Sequence, residues 1–185
     1  MINDDERLSD DQDTGDDEEL HVMDINRDKF PYSIVWTPIP LVTWMLPFVG
    51  HMGIARSDGT IYDFAGPQTV IVDDFSFGRP TKYLRLDPSK IRGSRRWDDY
   101  ITRMSNQYCK MNYNFFCNNC HNMVAHMLND MKYDGRENWG VAELCLRLFF
   151  FGSHINTWRT IKTYIGFFVF VTFLFVLNFG LLNVK

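Results

Sequence analysis

An apolar run near the C-terminal end of the sequence constrains the fold more than any other feature. Ile165–Leu182 reads IGFFVFVTFLFVLNFGLL and is interrupted by only two polar residues, Thr172 and Asn178. About 20 apolar residues cross the hydrocarbon core of a bilayer, so Tyr164–Val184 is long enough to span one. A core helix of a small domain has no need to be apolar on every side. The sequence therefore predicts a transmembrane anchor over 161–185.

Flanking charges predict how this anchor is oriented. Arg147, Arg159 and Lys162 precede the apolar run, whereas only Lys185 follows it. The positive-inside rule then places the N-terminal body in the cytosol, as in tail-anchored proteins. The acidic first residues lack an apolar h-region, so no signal peptide is expected.

Charge and periodicity divide the rest of the chain. Residues 1–24 carry eleven Asp and Glu against one Arg, which predicts a disordered acidic tail. An α+β domain is expected over 25–137, because strand patterns come first and helix patterns second. Residues 138–160 contain the apolar stretch Val141–Ile155, interrupted by Glu143 and Arg147, and are predicted to form an amphipathic, interfacial helix.

Within this domain, turn signals and periodicity predict four strands and two helices. The strands are expected at His51–Arg56, Thr60–Ala65, Thr69–Val72 and Tyr83–Leu86. The first helix is expected over Ser94–Met111, capped by Ser94, and the second after Asn118 and Asn119, closed by Gly135.

Pro38–Gly50 contains three prolines and is not expected to form a regular helix. Its neighbour Trp36 and its own Trp44 suit a membrane interface, and an extended core segment is the alternative.

Three residues have the chemistry of an activated nucleophile. Cys120 is predicted at a helix N-terminus, where backbone N–H groups and the helix dipole favour a thiolate. His51, at the start of the first strand, is the candidate base, and Asp63 is the candidate group that orients it. An inert buried thiol and a structural histidine are the alternative interpretation.

The hairpin between the first two strands decides whether Asp63 and His51 lie on one face. A two-residue Asp58-Gly59 turn would point them to opposite faces, because side chains alternate along a strand. A three-residue loop, with Gly59 in the left-handed region, puts Asp63 opposite Gly53 and on the same side as His51. We therefore predict an odd loop or a bulge near Gly59.

Other uses of the cysteines were weighed. Cys117 and Cys120, followed by His121, match a haem-attachment pattern, half of a zinc site with Cys109, or a redox pair. The second half of a zinc motif is missing, and no cofactor, metal or nucleic-acid partner is predicted. His121 is expected to project about 100° away from Cys120 on a helix, which makes it a poor base for that thiol.

Several segments resemble the transmembrane protein 222 family, which includes the plant Reversion-to-Ethylene-Sensitivity proteins and carries a domain of unknown function, number 778. They are FPYSIVWTPIPLVTWMLPFVGHMGI, DGTIYDFAGP, NNCHNMVAHMLN and the C-terminal apolar run. The resemblance implies a membrane regulator associated with a receptor at the endoplasmic reticulum and Golgi apparatus, with no established reaction.

The chain also resembles, more distantly, permuted papain-like thiol enzymes such as lecithin–retinol acyltransferase, the H-Ras-like suppressor acyltransferases and NlpC/P60 proteins. The likeness rests on His51, Asp58-Gly59, Asp63 and Asn119-Cys120. It implies a permuted papain-like (NlpC/P60-like) fold with an antiparallel sheet, Cys120 as nucleophile, His51 as base and Asp63 as orienter. Asp63 replaces the second His usual in those enzymes.

Together these features predict an endomembrane thiol hydrolase or acyltransferase acting on an acyl lipid or acylated substrate. The rival hypothesis is a non-enzymatic regulator or adaptor of a receptor or other membrane protein, and a third is a redox or metal-binding protein. The expected partners are the lipid bilayer and a membrane protein.

Overall fold

A computed structural model describes residues 22–183, so most of the predicted acidic tail, 1–24, lies outside the described residues. Two short 3-10 turns, Pro88–Lys90 and Tyr133–Gly135, occur between the regular elements. The described elements are, in order, β1 Ser33–Thr37, α1 Val42–Met45, β2 His51–Ala55, β3 Ile61–Gly66, β4 Thr69–Val72, β5 Lys82–Arg85, α2 Trp97–Tyr108, α3 Cys120–Asp130, α4 Val141–Phe151, β6 Ser153–His154 and α5 Thr157–Asn183.

The strands form one antiparallel sheet in the order β4-β3-β2-β1-β5-β6. All four predicted strands are present within one residue of their expected ends, which confirms the α+β class. β1 was not predicted although it lies at the centre of the sheet. All five of its residues are buried, so it lacks the polar–apolar alternation by which a half-exposed strand is recognised.

The main core lies between this sheet and the helices. α3 packs against β2 and β3, with α2 beside it, and α4 contacts α3 and β5. The strands contribute Ile34, Trp36, Met52, Ile54 and Phe64, and the helices contribute Ile101, Met123, Met127, Leu128, Leu144 and Leu148. The opposite face of the sheet is covered by a smaller cluster that includes Phe30 and Phe75.

The limits of the two predicted helices need correction. α2 begins at Trp97, and its N-cap is Arg96, so Ser94 does not cap it. Its first turn instead carries Asp98, whose carboxylate accepts hydrogen bonds from the backbone and hydroxyl of Ser57. A negative charge is favourable at that end of a helix.

α3 also ends earlier than predicted. Its last residue is Asp130, because Lys132 adopts a left-handed conformation (φ 48°) that an α-helix cannot contain. Gly135 belongs to the separate turn Tyr133–Gly135. Residues 138–160 are divided among α4, β6 and the first turn of α5.

Pro38–Gly50 forms only the single-turn helix α1, as its prolines predict. The expectation that Trp36 lies at a membrane interface is wrong, since this side chain is buried in β1 beneath the helices. Trp44 lies on α1, which packs against α5.

The hairpin prediction is confirmed. Ile54 pairs with Tyr62 and Ala55 with Ile61, and the backbone of Arg56 hydrogen-bonds to that of Thr60. The loop is therefore the three residues 57–59. Gly59 has φ 82°, in the left-handed region. Continuing the register places Asp63 opposite Gly53.

α5 is the one helix within residues 22–183 that is long and apolar enough to cross a membrane, over Thr157–Phe179. Only 11% of its most apolar part is buried, unlike the core helix of a soluble domain. Its N-terminal turn is fixed to the domain: Arg159 donates to Asp28 at 2.9 Å and to the carbonyl of Pro80 at 2.8 Å. One turn later, the Thr163 hydroxyl donates to that of Thr81.

Lys82 connects the sheet to the last two helices. Its ammonium is buried among the rings of Trp36, Phe149 and Tyr164, with ring centroids 5.8, 5.0 and 5.5 Å away. Aromatic faces attract a cation most strongly when it is removed from water. β5, α4 and α5 are thereby held in one arrangement.

Replacing Gly59 with Ala should destabilise the full chain in detergent, measured as the free energy of unfolding. A residue with a Cβ is strained by about 1–3 kcal/mol at such a φ. The added Cβ would also lie 2.9 Å from the backbone N of Phe30 and from the Cβ of Lys29.

Gly78→Ala is the matched control, because Gly78 also has a positive φ (100°) but nothing within 4 Å of an added Cβ. Gly59→Ala should lose more stability than Gly78→Ala. Equal losses would contradict the close approach of the hairpin loop to Phe30.

Candidate functional site

Cys120 is the first residue of α3, and its helix terminus is capped. The side-chain oxygen of Asn119 accepts hydrogen bonds from the N–H groups of His121 and Asn122, at 2.9 and 3.3 Å. The Asn122 side chain accepts one from the N–H of Asn119 in return. This capping box fixes the first turn, so the predicted cap at Asn119 is confirmed. The sulfur therefore lies at the positive end of the helix dipole.

His51 and Asp63 form a buried pair on neighbouring strands. Nε2 of His51 lies 2.6 Å from Oδ2 of Asp63, and each side chain is 1% exposed. The rings of Phe75 and Phe77 pack against the imidazole, with centroids 5.1 and 5.2 Å away. The carboxylate thus fixes the orientation of the ring, as the hairpin register predicts.

The Cys120 thiol meets His51 at the end of the sheet rather than across its face. Side-chain alternation puts His51 on the sheet face that Phe75 covers, opposite the face against which α3 packs. His51 nevertheless interacts with Cys120, since it is the first residue of β2. The preceding Gly50 lines the same cavity as the sulfur. The N-terminus of α3 therefore meets this end of the strand.

The electrostatics favour a thiolate beside an imidazolium. Burial alone would raise the pKa of Cys120, but the hydrogen bond with His121 and the nearby imidazole of His51 outweigh it and lower that pKa from 9.0 to about 5. Burial alone would lower the pKa of His51, but its hydrogen bond with Asp63 and the nearby sulfur of Cys120 raise that pKa to about 9. Nδ1 of His51 is buried and has no conventional hydrogen-bond partner in the described part of the chain. That nitrogen is the one left to exchange a proton with the sulfur.

His121 lies closer to the Cys120 sulfur than a projection of about 100° away from it predicts. Its Nδ1 lies 3.4 Å from the Cys120 sulfur. The two side chains do leave the helix in different directions, but at a first turn both lean beyond the helix end and the imidazole folds back over the sulfur. Although burial opposes it, interactions with Cys120 and Cys145 raise the pKa of His121 to about 10. The thiolate thus has two cationic neighbours.

A cavity of about 120 Å³ lies beside the sulfur and connects it to apolar side chains. Its walls are Ile39, Val49, Gly50, Tyr113, Phe115, Asn119, Cys120, His121, Val141 and Cys145. Burial and the nearby Cys120 charge raise the pKa of Tyr113 to about 12, so its hydroxyl is a proton donor at neutral pH. Tyr113 and Cys145 carried no signal in the sequence, since neither belongs to a motif. Cys120 itself is 2% exposed, so a reactant reaches it through this cavity.

The structure bears on the zinc hypothesis for the cysteines. Cys109 and Cys117 are exposed, whereas Cys120 is buried, and all four cysteines are free thiols. Across residues 22–183, no three His, Cys, Asp or Glu side chains are grouped so that they could hold a metal ion.

The RTE1-like family matches the chain over residues 24–96 and 89–152, which together cover β1 to β5, the hairpin and the helix that begins at Cys120. This chain belongs to the RTE1-like family. The protein Reversion-to-Ethylene Sensitivity1 of Arabidopsis thaliana is 36% identical over 166 residues. The alignment covers 79% of this chain but only 66% of that relative's length. No solved structure matches this chain.

Alkylation of Cys120 in this RTE1-like chain should stay fast down to about pH 6. The thiolate predominates above a pKa of about 5, whereas a thiol at the reference value of 9.0 would lose a factor of about ten per pH unit below it. The measurement is the rate of iodoacetamide modification of the Cys120 peptide by mass spectrometry from pH 4 to 10, with Cys120→Ser as the blank.

His121→Gln and His51→Gln each remove an imidazole that lowers the pKa of Cys120. Each should therefore move the midpoint of the alkylation profile to higher pH, with the larger shift for His121→Gln. Midpoints that stay where they are in both variants would contradict the two-histidine arrangement.

Proposed function

We propose that this chain is a membrane-attached regulatory protein that acts through a reactive thiol, with Cys120 as nucleophile, His51 as base and Asp63 as the orienting group. One observation carries the proposal: a cysteine at a capped helix N-terminus lies at the same end of the sheet as a histidine whose Nε2 is 2.6 Å from a buried carboxylate. A nucleophile, a base and a third group that orients the base are the arrangement of covalent catalysis.

The proposed reaction is acyl transfer from an ester or thioester of an apolar acyl group. The Cys120 thiolate attacks the carbonyl carbon, the carbon–sulfur bond forms, and the bond to the leaving group breaks as His51 gives that group a proton. Water or an alcohol then attacks the thioester while His51 takes its proton, and the thiolate is restored. Ile39, Val49 and Val141 suit an acyl chain, because they give the cavity beside the sulfur apolar walls.

Tyr113 is placed to assist this reaction. It lines the same cavity and is affected by the charge of Cys120, so its protonated hydroxyl is near the place where negative charge develops on the carbonyl oxygen. The permuted papain-like fold belongs to the proposal too. The chain order His51, Asp63, Cys120, with the cysteine at a helix start, supports it.

The proposed location is an endomembrane, the endoplasmic reticulum or Golgi apparatus, with α5 as a tail anchor and the domain in the cytosol. The apolar, largely exposed α5 supports the anchor. The positive charges at Arg147, Arg159 and Lys162 support the orientation. The bilayer and a receptor or other membrane protein are the proposed partners.

A second function, a non-enzymatic adaptor, is favoured by the comparison with the plant relative. The name of that relative refers to sensitivity to ethylene, which is a regulatory trait, and does not refer to a reaction. The comparisons therefore support regulation more directly than catalysis. In an adaptor, the Cys120–His51–Asp63 group would hold the end of the sheet to α3 and bind no substrate.

Labelling with an alkyne-tagged long-chain acyl-CoA separates the two functions. The full chain in phosphatidylcholine nanodiscs should acquire a label at Cys120 that hydroxylamine removes, since the bond formed is a thioester. His51→Gln should slow this labelling about 100-fold or more, the usual effect of losing the general acid that protonates the leaving group. Asp63→Asn should slow it less, because His51 remains.

Cys117→Ala is the matched control, because it removes an exposed thiol three residues from Cys120 and should label like wild type. Equal labelling of wild type and Cys120→Ala would sink the enzymatic proposal and leave the adaptor.

A further inference from the structure

The segment Pro38–Gly50 packs beside α5 where that helix becomes apolar. α1 contacts α5, and Trp44 lies so close to Gly166 that a Cβ at this glycine would overlap the indole ring. Gly166 thus permits the close approach of the two helices. This contact fixes the position of α1 along the axis of α5.

The position of this contact along α5 can be measured from the nearest exposed charged residue of that helix. Lys162 is exposed, so it marks a level that is still in the headgroup region or in water. Gly166 follows it by four residues, or about 6 Å along a helix that rises 1.5 Å per residue. Beyond Gly166, α5 exposes only apolar side chains and Thr172 up to Leu177. Trp44 therefore lies at the upper edge of the hydrocarbon.

The same segment exposes large apolar side chains and has no charge. PIPLVTWMLPFVG contains no Asp, Glu, Lys or Arg. Leu41 is 66% exposed and Met45 62%, and the other exposed apolar side chains of the segment are Trp44, Leu46 and Phe48. Contiguous apolar exposure of this kind marks a surface that is covered by something other than water.

We propose that Pro38–Gly50, the leaflet loop, inserts into the leaflet that α5 enters, and that lipid acyl chains cover Leu41, Met45 and Leu46. The inference rests on the membrane anchor in the proposed function. The lipid surface is the occupant because the loop is continuous with α5 at Trp44, and α5 brings the bilayer to that level. Tryptophan is also the side chain that favours the membrane–water boundary.

The leaflet loop also forms part of the thiol cavity. Ile39 lies at its start and Val49 and Gly50 at its end, and all three line the cavity beside Cys120. A loop in the leaflet therefore places one wall of that cavity against lipid. An apolar reactant would enter from the membrane rather than from the cytosol.

Fluorescence quenching by brominated lipid tests the insertion. The chain has five tryptophans, of which Trp36, Trp97 and Trp139 are buried in the domain. In vesicles of phosphatidylcholine brominated high on its acyl chains, emission should fall relative to unbrominated vesicles. Trp44→Phe should remove at least half of this quenching.

Trp158→Phe is the matched control. Trp158 is 74% exposed but precedes Lys162 by one turn, above the hydrocarbon, so its loss should leave the quenching nearly unchanged. Phe keeps the apolar contact of Trp44 with α5, so the control and the test variant should fold alike.

Two results would overturn the inference, and they are distinguishable. Wild-type chain that does not float with the vesicles in a density gradient would refute the membrane anchor and the leaflet loop together. Chain that floats while Trp44→Phe is quenched as much as wild type would refute the leaflet loop alone. In that case a second copy or another protein covers the loop, and the anchor stands.

Discussion

The rest of the site depends on how the chain turns at Gly59. A three-residue loop with a left-handed glycine sets the register of β2 and β3, and that register points Asp63 to the side of His51. A two-residue turn would have sent the carboxylate to the other face. With the pair in place, each charge is buried against its partner. Removing one member of such a pair typically costs about 3–5 kcal/mol, because the other is left uncompensated.

Sequence reasoning reached the parts of this structure that follow from local rules. The Ser57–Gly59 loop, the Asn119 cap and the long apolar helix α5 each have a local chemical cause, and all three are found. β1 was missed because full burial removes the alternation that identifies a strand. The burial of Trp36 was not predicted for a related reason. Its position beneath the helices depends on the pairing of β1 with β2 and β5, and the residues next to Trp36 in the sequence do not reveal that pairing.

The residues of the candidate site divide in the same way, into those that the sequence predicts and those that only the folded structure brings together. The residue types of His51, Asp63 and Cys120, with the predicted hairpin, were enough to expect a group of three. The role of His121 was misjudged from angular spacing, which describes the middle of a helix better than its first turn. Tyr113 and Cys145 join the cavity only through tertiary packing. No sequence motif could have identified these two residues as part of the cavity.

Membership of the RTE1-like family and the geometry of the thiol bear on different questions. The name of the plant relative refers to a regulatory trait, the long apolar α5 points to a membrane, and the buried His51–Asp63 pair near Cys120 suggests a chemical means. A regulator that removes or transfers an acyl group would agree both with the regulatory name of the relative and with the geometry of the thiol. A binding protein in which the Cys120–His51–Asp63 group has only a structural role would agree with the name alone.

The attachment of Arg159 to Asp28 and Pro80 has a mechanical consequence. Many anchored domains hang from a flexible tether and sample all orientations above the bilayer. Here the last turn before the membrane is buttressed by the body itself, so the domain cannot swivel about its stalk. The opening of the thiol cavity therefore keeps one orientation and one distance relative to the bilayer. Other membrane-bound molecules would reach it by diffusing in two dimensions.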